Sequence, residues 1–568
     1  MKKWLLHQKQ NSDLKTQFES DLNLHPIVAQ LLINRNLESV DEAKAFLNPS
    51  LDQIHDPWLM YQMPKAVDCV LSHLEQNHKI MVYGDYDVDG TTSVTMMFHF
   101  LSQFSDQICY YIPDRYAEGY GVSELGIEKA KSTDCQLIIS LDCGIKAINQ
   151  VQKARDFGID FIICDHHQPG KEKPNATAIL NPKQKEDAYP FKELSGCGVG
   201  FKLVQAIADR KSIDFESISC YLDLLAISIG ADIVPMVGEN RVLAHFGLQL
   251  LNRKPRLGLA PFIPKSMSNT SRDFDISDVV FKIAPRINAA GRIDHANKAV
   301  ELLLEEDVFK AEAFAEEIDQ FNENRKDLDQ DITKDALKML ESDANDWTTV
   351  LCHHTWHKGV VGIVASRLIE QVYRPTIVLT EKDGLLTGSA RSIPNFNMYE
   401  ALEACSEHLI QFGGHYFAAG MTLKKEDFEA FKSAFELYAE SKLKAEDLIE
   451  SIKIESALEL RDINQDLFQQ LQALEPHGPQ NLHPIFGAKE IRNTQWTKTV
   501  GQNSEHLSLV LADQQDRRQT KRGIAFRQGN LFEKLALADH FAIVYVIKEN
   551  VWKDTKTLQL EVRDMKFS

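Results

Sequence analysis

The sequence has no CxxC pair, no run of about 20 apolar residues and no surplus of positive charge, and each absence narrows what the chain can be. Its nine cysteines (Cys69, Cys109, Cys135, Cys143, Cys164, Cys197, Cys220, Cys352 and Cys405) are odd in number, and several sit inside apolar runs such as FIICD. They read as reduced core thiols of a cytoplasmic protein. The most apolar stretch, Tyr221 to Val234, carries Asp223 and Asp232 and is too short for a membrane helix. The opening MKKWLLHQKQ has only a three-residue apolar run, so neither secretion nor a membrane is expected. With 82 acidic against 63 basic residues the formal charge is −19, which argues against a surface that is one basic nucleic-acid footprint. What is present is globular: 43% hydrophobic and 26% charged residues over 568 positions, enough for three to four domains.

From about residue 64 a pattern repeats: a short apolar run, an acidic residue at its end, a polar or Gly turn, then an amphipathic helix. Ile80 to Tyr83 precede Asp85, Leu137 to Leu141 precede Asp142, and Phe161 to Cys164 precede Asp165. This predicts a parallel α/β sheet whose ligand site lies beyond the carboxyl ends of the strands. Residues 305–331 hold 11 acidic and 3 basic residues with apolar positions at helical spacing, which predicts a long connecting helix with one buried stripe and a solvated acidic face. A second α/β stretch follows, with TTVLCHH and PTIVLT as strands around the helix GIVASRLIEQVY, then GLLTGSARS and a helix from Met398. The last 110 or so residues alternate as strands do (HLSLVLAD, HFAIVYVI, TLQLEV), predicting a small β-barrel.

The chemistry concentrates in acidic and histidine clusters. Asp85, Asp87 and Asp89 in VYGDYDVDGTTS would repel one another unless a cation compensates. An EF-hand loop is excluded, because its twelfth position would be Met96 and an apolar strand precedes it. Asp142 in SLDCG, then Asp165, His166 and His167 in ICDHHQPG, end two further strands. A fourth acid comes from LLAISIGADIVPMVGENR, where Asp232 and Asp223 compete. Carboxylates with imidazole and no thiolate suit Mg2+ or Mn2+. Two such ions would serve phosphoryl hydrolysis by activating water and stabilising the leaving oxygen.

These motifs resemble the DHH phosphoesterase superfamily, and within it the RecJ family of bacterial single-strand-specific 5′-to-3′ DNA exonucleases. YGDYDVDGTTS, LDCG, DHH and GADIVP are similar to four N-terminal motifs in order, and APRINAAGR, HKGVVGIVASRL, GSARS and FGGHYFAAG to later ones. The resemblance implies an α/β protein with a DHH domain over 61–300 and a DHH-associated domain over 346–445, joined by a helix at 301–345. An OB-fold barrel over 446–568 and a helical segment over 1–60 complete it. It implies two Mn2+ or Mg2+ ions held by Asp87, Asp89, Asp142, His166 and Asp232, Asp142 bridging, with Asp85 and Asp165 in support. His167 would lie beside the scissile phosphate. The superfamily's pyrophosphatase branch has a ligand His four residues before the position of Asp87. Here Tyr83 stands there, as in the RecJ branch.

The same resemblance implies that Ser389 and Arg391, with Arg286 and Arg115, hold a 5′ terminal phosphate, and that His415 contacts a backbone phosphate near the cut. Arg supplies a planar fork for phosphate, and Gly-rich stretches bring amides close to an anion. In RRQTKRGIAFRQ, the residues Arg517, Arg518, Lys521, Arg522 and Arg527 with Phe526 make a basic run with an aromatic, suited to single-stranded DNA. The expected activity is metal-dependent release of 5′ mononucleotides from a free 5′ end in recombination and repair. A single-strand-binding protein and a helicase are the expected partners, and the expected state is a cytoplasmic monomer. The rivals are a small-substrate member of the superfamily, and a DNA-binding scaffold without catalysis.

Overall fold

The computed structural model describes residues 2–7, 11–263, 273–293, 295–341, 345–513, 519–552 and 555–567. The chain divides into two compact units, one of Leu6–Gly291, His295–Ile318 and Lys453–Ser568, the other of Met1–Leu5, Arg292–Asp294 and Asp319–Ile452. Among the described residues no helix is long and apolar enough to cross a membrane.

In the larger unit five parallel strands lie from edge to edge as Ile108–Tyr111, Ile80–Gly84, Leu137–Leu141, Asp160–Cys164 and Ala178–Leu180. The runs IMVYG and LIISL are buried along their whole length, because helices cover both faces of the sheet. On one face Ile127, Ala130, Val151 and Ala154, from helices Glu124–Ser132 and Ile148–Asp156, pack on Met81, Ile138 and Phe161. On the other lie helices Val88–Leu101 and Gly196–Arg210, with Leu222–Ala231 packed against both. In order of appearance the strands run 2-1-3-4-5. The connections therefore part in opposite directions between Ile80–Gly84 and Leu137–Leu141, leaving a crevice at the carboxyl ends of those two strands.

The same unit holds a mixed seven-stranded sheet in which Phe486–Asn493 also pairs with His506–Asp513, so five of the strands close into a barrel. The N-terminal helices Ser12–Asp21 and Pro26–Asn34 share its core: Phe18, Val28 and Leu32 are buried with Leu467, Leu509 and Tyr545. Arg35 fixes this packing, with Nε donating to Asn481 Oδ1 at 2.7 Å and Nη2 to the Leu482 carbonyl at 2.7 Å. Nothing local in residues 1–60 signals a partner more than 400 residues away.

The smaller unit has strands Gln411–Gly414, Ala418–Lys424, Leu385–Arg391, Thr376–Lys382 and Thr349–Cys352 in that order, antiparallel except for the last pair. The helix Val308–Leu340 runs from one unit into the other. Its stripe Ala311, Ala315 and Ile318 is buried as the spacing predicts, whereas Val308 is exposed. The acidic face is not wholly solvated: Asp329 is fully buried, with Arg367 Nη2 at 2.6 Å and Arg325 Nη1 at 3.9 Å.

Candidate metal centre

The chain turns from strand Ile80–Gly84 into helix Val88–Leu101 within three residues. A Cβ at Gly90 would come within 2.3 Å of the Asp85 carbonyl oxygen, so the turn requires glycine. Asp87 caps the helix, accepting from the Gly90 N–H at 3.0 Å. Asp89 reaches the N-terminus of helix Gly196–Arg210, where the Gly196 and Cys197 N–H groups donate to it at 2.7 and 2.8 Å, and Ser228 Oγ donates at 2.7 Å. Asp85 Oδ1 accepts from the Gly121 N–H at 3.0 Å, while its Oδ2 is buried without a hydrogen-bond partner.

Asp142 follows the neighbouring strand in a left-handed conformation with φ 59°, and Gly196 packs so tightly on it that a Cβ there would lie 2.5 Å from the Asp142 Cβ. His166 pairs Nδ1 with the Leu194 carbonyl at 3.0 Å. That bond places the proton on Nδ1 and leaves a lone pair on Nε2. Nε2 is buried without a hydrogen-bond partner and faces Asp142 Oδ1 at 3.2 Å, Asp232 Oδ2 at 3.5 Å and Asp89 Oδ2 at 3.9 Å. The structure places the two acids of the fourth motif in different surroundings. Asp223, at the start of helix Leu222–Ala231, is gripped by Arg256 at 2.8 and 2.9 Å, while Asp232, just past its end, faces His166.

His167 Nδ1 lies 2.8 Å from Asp165 Oδ1 and its Nε2 3.0 Å from Tyr120 Oη. Asp165 Oδ2 accepts from the Ile145 N–H at 2.9 Å. Burial opposes the ionised form of Asp165, but the hydrogen bond and charge of His167 outweigh it and hold the carboxyl at about 2. Tyr83 has turned its hydroxyl away: it donates to the Gly121 carbonyl at 3.1 Å and accepts from the Ser123 N–H at 3.0 Å.

Burial first, and the neighbouring carboxylates second, push Asp85, Asp142 and Asp232 well above the usual carboxylate range and raise Asp87 too. Among the described residues no Lys or Arg forms an ion pair with Asp85, Asp87, Asp89, Asp142 or Asp232. Carboxylate oxygens and an imidazole lone pair converging with no Lys or Arg in contact among the described residues fit a divalent metal of the Mn2+ or Mg2+ type.

Elsewhere in the larger unit the Arg115 guanidinium lies 3.9 Å from the Tyr86 ring centroid, and its Nε donates to the Gly291 carbonyl at 3.1 Å. Gly291 belongs to helix Ala284–Ile293, whose Arg286 donates through Nη1 to the Lys282 carbonyl at 2.6 Å. In the barrel, Arg522, Phe526 and Arg527 are exposed, and the Phe526 ring meets His506 edge-on. Lys521 points the other way, donating to the Ile463 carbonyl at 2.7 Å. Arg517 and Arg518 lie outside the described residues.

In the smaller unit Ser389 and Arg391 sit on strand Leu385–Arg391, beside the start of helix Val361–Val372. A Cβ on Gly362 of that helix would stand 3.2 Å from Ser389 Oγ and 3.1 Å from Arg391 Nη2. Burial lowers the Arg391 pKa, and among the described residues it makes no ion pair. His415 occupies the exposed turn after Gln411–Gly414, and the following strand pairs Ala418 with Arg391 and Gly420 with Ser389. A hydroxyl, a guanidinium and helix amides gathered at one strand end are anion-binding chemistry.

Comparison with known proteins agrees with this chemistry. The single-stranded-DNA-specific exonuclease RecJ of Bacillus subtilis is 38% identical over 564 residues, covering 99% of this chain and 70% of the relative. The chain belongs to the RecJ family. The Haemophilus influenzae RecJ is 31% identical, covering 95% of this chain and 96% of that one. Three family descriptions match in series: the DHH family N-terminal domain at residues 79–229, the DHHA1 domain at 345–441 and the RecJ OB domain at 454–564. The crystal structure of Thermus thermophilus RecJ in complex with Mn2+ superposes with a TM-score of 0.84 at 26% identity, covering all of this chain and 80% of that one. Its complex with Mg2+ gives 0.78 at 25% identity, covering all of this chain and 78% of that one.

The sequence reading missed the groups that hold the cluster in place: Tyr120, Ser228, the Leu194 carbonyl and the amides of Gly196 and Cys197. Their one visible trace is SGCGVG, whose first glycine is the only residue that fits against Asp142.

Proposed function

We propose that the chain is an exonuclease specific for single-stranded DNA that hydrolyses phosphodiester bonds with divalent cations. It enters at a free 5′ end, releases 5′ mononucleotides and serves DNA recombination and repair. The observation that carries this is the unpartnered Nε2 of His166 facing Asp89, Asp142 and Asp232 at the crevice of the sheet. Asp87, Asp89, Asp142, His166 and Asp232 would hold two Mn2+ or Mg2+ ions. Bound there, the ions lower the pKa of water and offset charge developing on phosphate oxygens.

The protein's own part is orientation. Leu194 fixes the His166 tautomer, helix amides and Ser228 fix Asp89, and Asp165 and Tyr120 hold the His167 ring in one plane beside the scissile phosphate. Asp85 supports the shell from behind; Asp85→Asn with unchanged metal-dependent activity would refute this. On the smaller unit Ser389 and Arg391 take the 5′ terminal phosphate, and His415 takes a backbone phosphate. On the larger, Arg115 and Arg286 contact phosphates, and Arg522, Phe526 and Arg527, continuing from Arg517 and Arg518, guide the strand. The domains follow the boundaries given above, and the chain works as a cytoplasmic monomer alongside a single-strand-binding protein and a helicase.

One assay tests the reading: a single strand labelled at either end is incubated with Mn2+ or Mg2+. Mononucleotides from the 5′ end, absent for a duplex and for Asp89→Ala, support it. Cleavage confined to very short oligomers, or binding without products, contradicts it.

A further inference from the structure

A second cluster of metal-binding side chains lies at the opposite, amino end of the same parallel sheet. Cys69 and His73 are one turn apart on helix Met63–Glu75, and this i, i+4 spacing puts both side chains on one face. Asp160 opens the strand Asp160–Cys164. One ligand atom from each of the three lies within 4.8 Å of the others. We propose that Cys69, His73 and Asp160 form a binding site for a zinc-type divalent cation, separate from the catalytic cluster.

Three observations carry the proposal beyond an ordinary His–Asp pair. First, the donor set is sulfur, nitrogen and oxygen, which selects Zn2+ over the Mg2+ or Mn2+ that suit the all-oxygen-and-imidazole cluster. Second, both polar ligands already have outer partners of the kind that orient metal ligands. His73 Nδ1 lies 3.0 Å from His78 Nδ1, and His73 Nε2 lies 3.0 Å from Asp160 Oδ2. A cation selects the tautomer in which His73 Nδ1–H donates to His78 and the Nε2 lone pair faces the metal. The other oxygen of Asp160 accepts from Thr177 Oγ1 at 2.8 Å. Third, the site is partly open: His73 is buried and Cys69 half-buried, while Asp160 is exposed, so an ion can enter from solvent and keep water as a fourth ligand.

Tetrahedral zinc with bonds near 2.0–2.3 Å needs donors about 3.5 Å apart, so a small rotation at Cys69 or Asp160 completes the site. Binding exchanges one proton for the metal: the Cys69 S–H bond breaks, the proton leaves to solvent, and the sulfur electron pair forms the bond to the cation. Because binding releases this proton, affinity rises with pH. The bound ion ties the helix to the start of the strand and so raises thermal stability.

The test uses the full-length chain, stripped with a chelator and titrated with Co2+. The catalytic cluster has no sulfur, so a thiolate-to-cobalt charge-transfer band reports this site. The expected result is one equivalent of cobalt giving that band, displacement by Zn2+, loss of the band in Cys69→Ser and at least tenfold weaker binding in Asp160→Asn. No band at saturating cobalt, or a band undiminished in folded Cys69→Ser, overturns the proposal. If Cys69→Ser does not fold, alkylation of Cys69 in the native chain decides, read by peptide mass mapping. It is expected to slow at least tenfold with Zn2+ and not with Mg2+; equal rates overturn the proposal.

Discussion

The two ends of helix Leu222–Ala231 treat an acid in opposite ways. At one end Asp223 is almost fully enclosed and both its oxygens meet the Arg256 guanidinium. At the other, Asp232 faces the bare nitrogen of His166 in company with Asp89 and Asp142. The same unit pairs Lys202 Nζ with Glu239 Oε1 at 2.7 Å, both fully buried. It disposes of the His483 charge by burial, which with Lys548 nearby drives that imidazole down to about 3 and leaves it neutral. So this protein pairs or neutralises a buried charge where the role is structural. Acids crowded together and left without a counter-ion mark the place where a ligand must supply one.

Asp142→Asn breaks this contrast most sharply. It is expected to reduce exonuclease turnover on the order of 10³-fold, measured with a labelled single strand, by removing one of the carboxylates proposed to hold the ions. The same variant should melt higher than the native chain in chelator, since it removes one of several mutually repelling acids. Asp223→Asn should do the reverse. It leaves Arg256 buried without its partner and is expected to cost about 3 kcal/mol in denaturant unfolding while sparing the chemistry.

His483 sharpens the comparison through pH. Its folded pKa of about 3 lies below an unfolded value near 6.5, so below about pH 6.5 the unfolded chain binds the extra proton. Stability therefore falls as pH drops from about 6.5 towards 3, and His483→Gln should flatten that part of the profile, read by thermal melts in acetate and phosphate buffers. The smallest effect is expected at the barrel. Phe526→Ala should weaken binding of long single strands about tenfold, with hydrolysis of very short oligomers unchanged, because one stacking platform is worth ~1–3 kcal/mol. Lys521→Ala, by contrast, should act on barrel stability, since its ammonium is spent on the Ile463 carbonyl.

Much of this was legible because the signals are local. The apolar runs ending at Asp85, Asp142 and Asp165 give strands, their order in the chain gives a parallel sheet, and acids at strand ends give the candidate cluster. What stayed hidden depends on contacts between distant segments. Asp223 and Asp232 are equivalent as letters, and only their contacts with Arg256 and His166, distant in the chain, separate them. Lys521 reads as part of a basic run until Ile463 is placed beneath it, and Asp329 reads as solvated until Arg367 is folded over it. The N-terminal helices show no role until Arg35 meets Asn481.

The central claim is that the acids around His166 are uncompensated until divalent cations bind, and one measurement tests it directly. Native chain and Asp142→Asn are melted in chelator and in saturating Mn2+. The native chain is expected to gain stability from Mn2+, and Asp142→Asn to melt above it in chelator while gaining less from the metal. A native chain indifferent to Mn2+, with Asp142→Asn less stable than native in chelator, would contradict it.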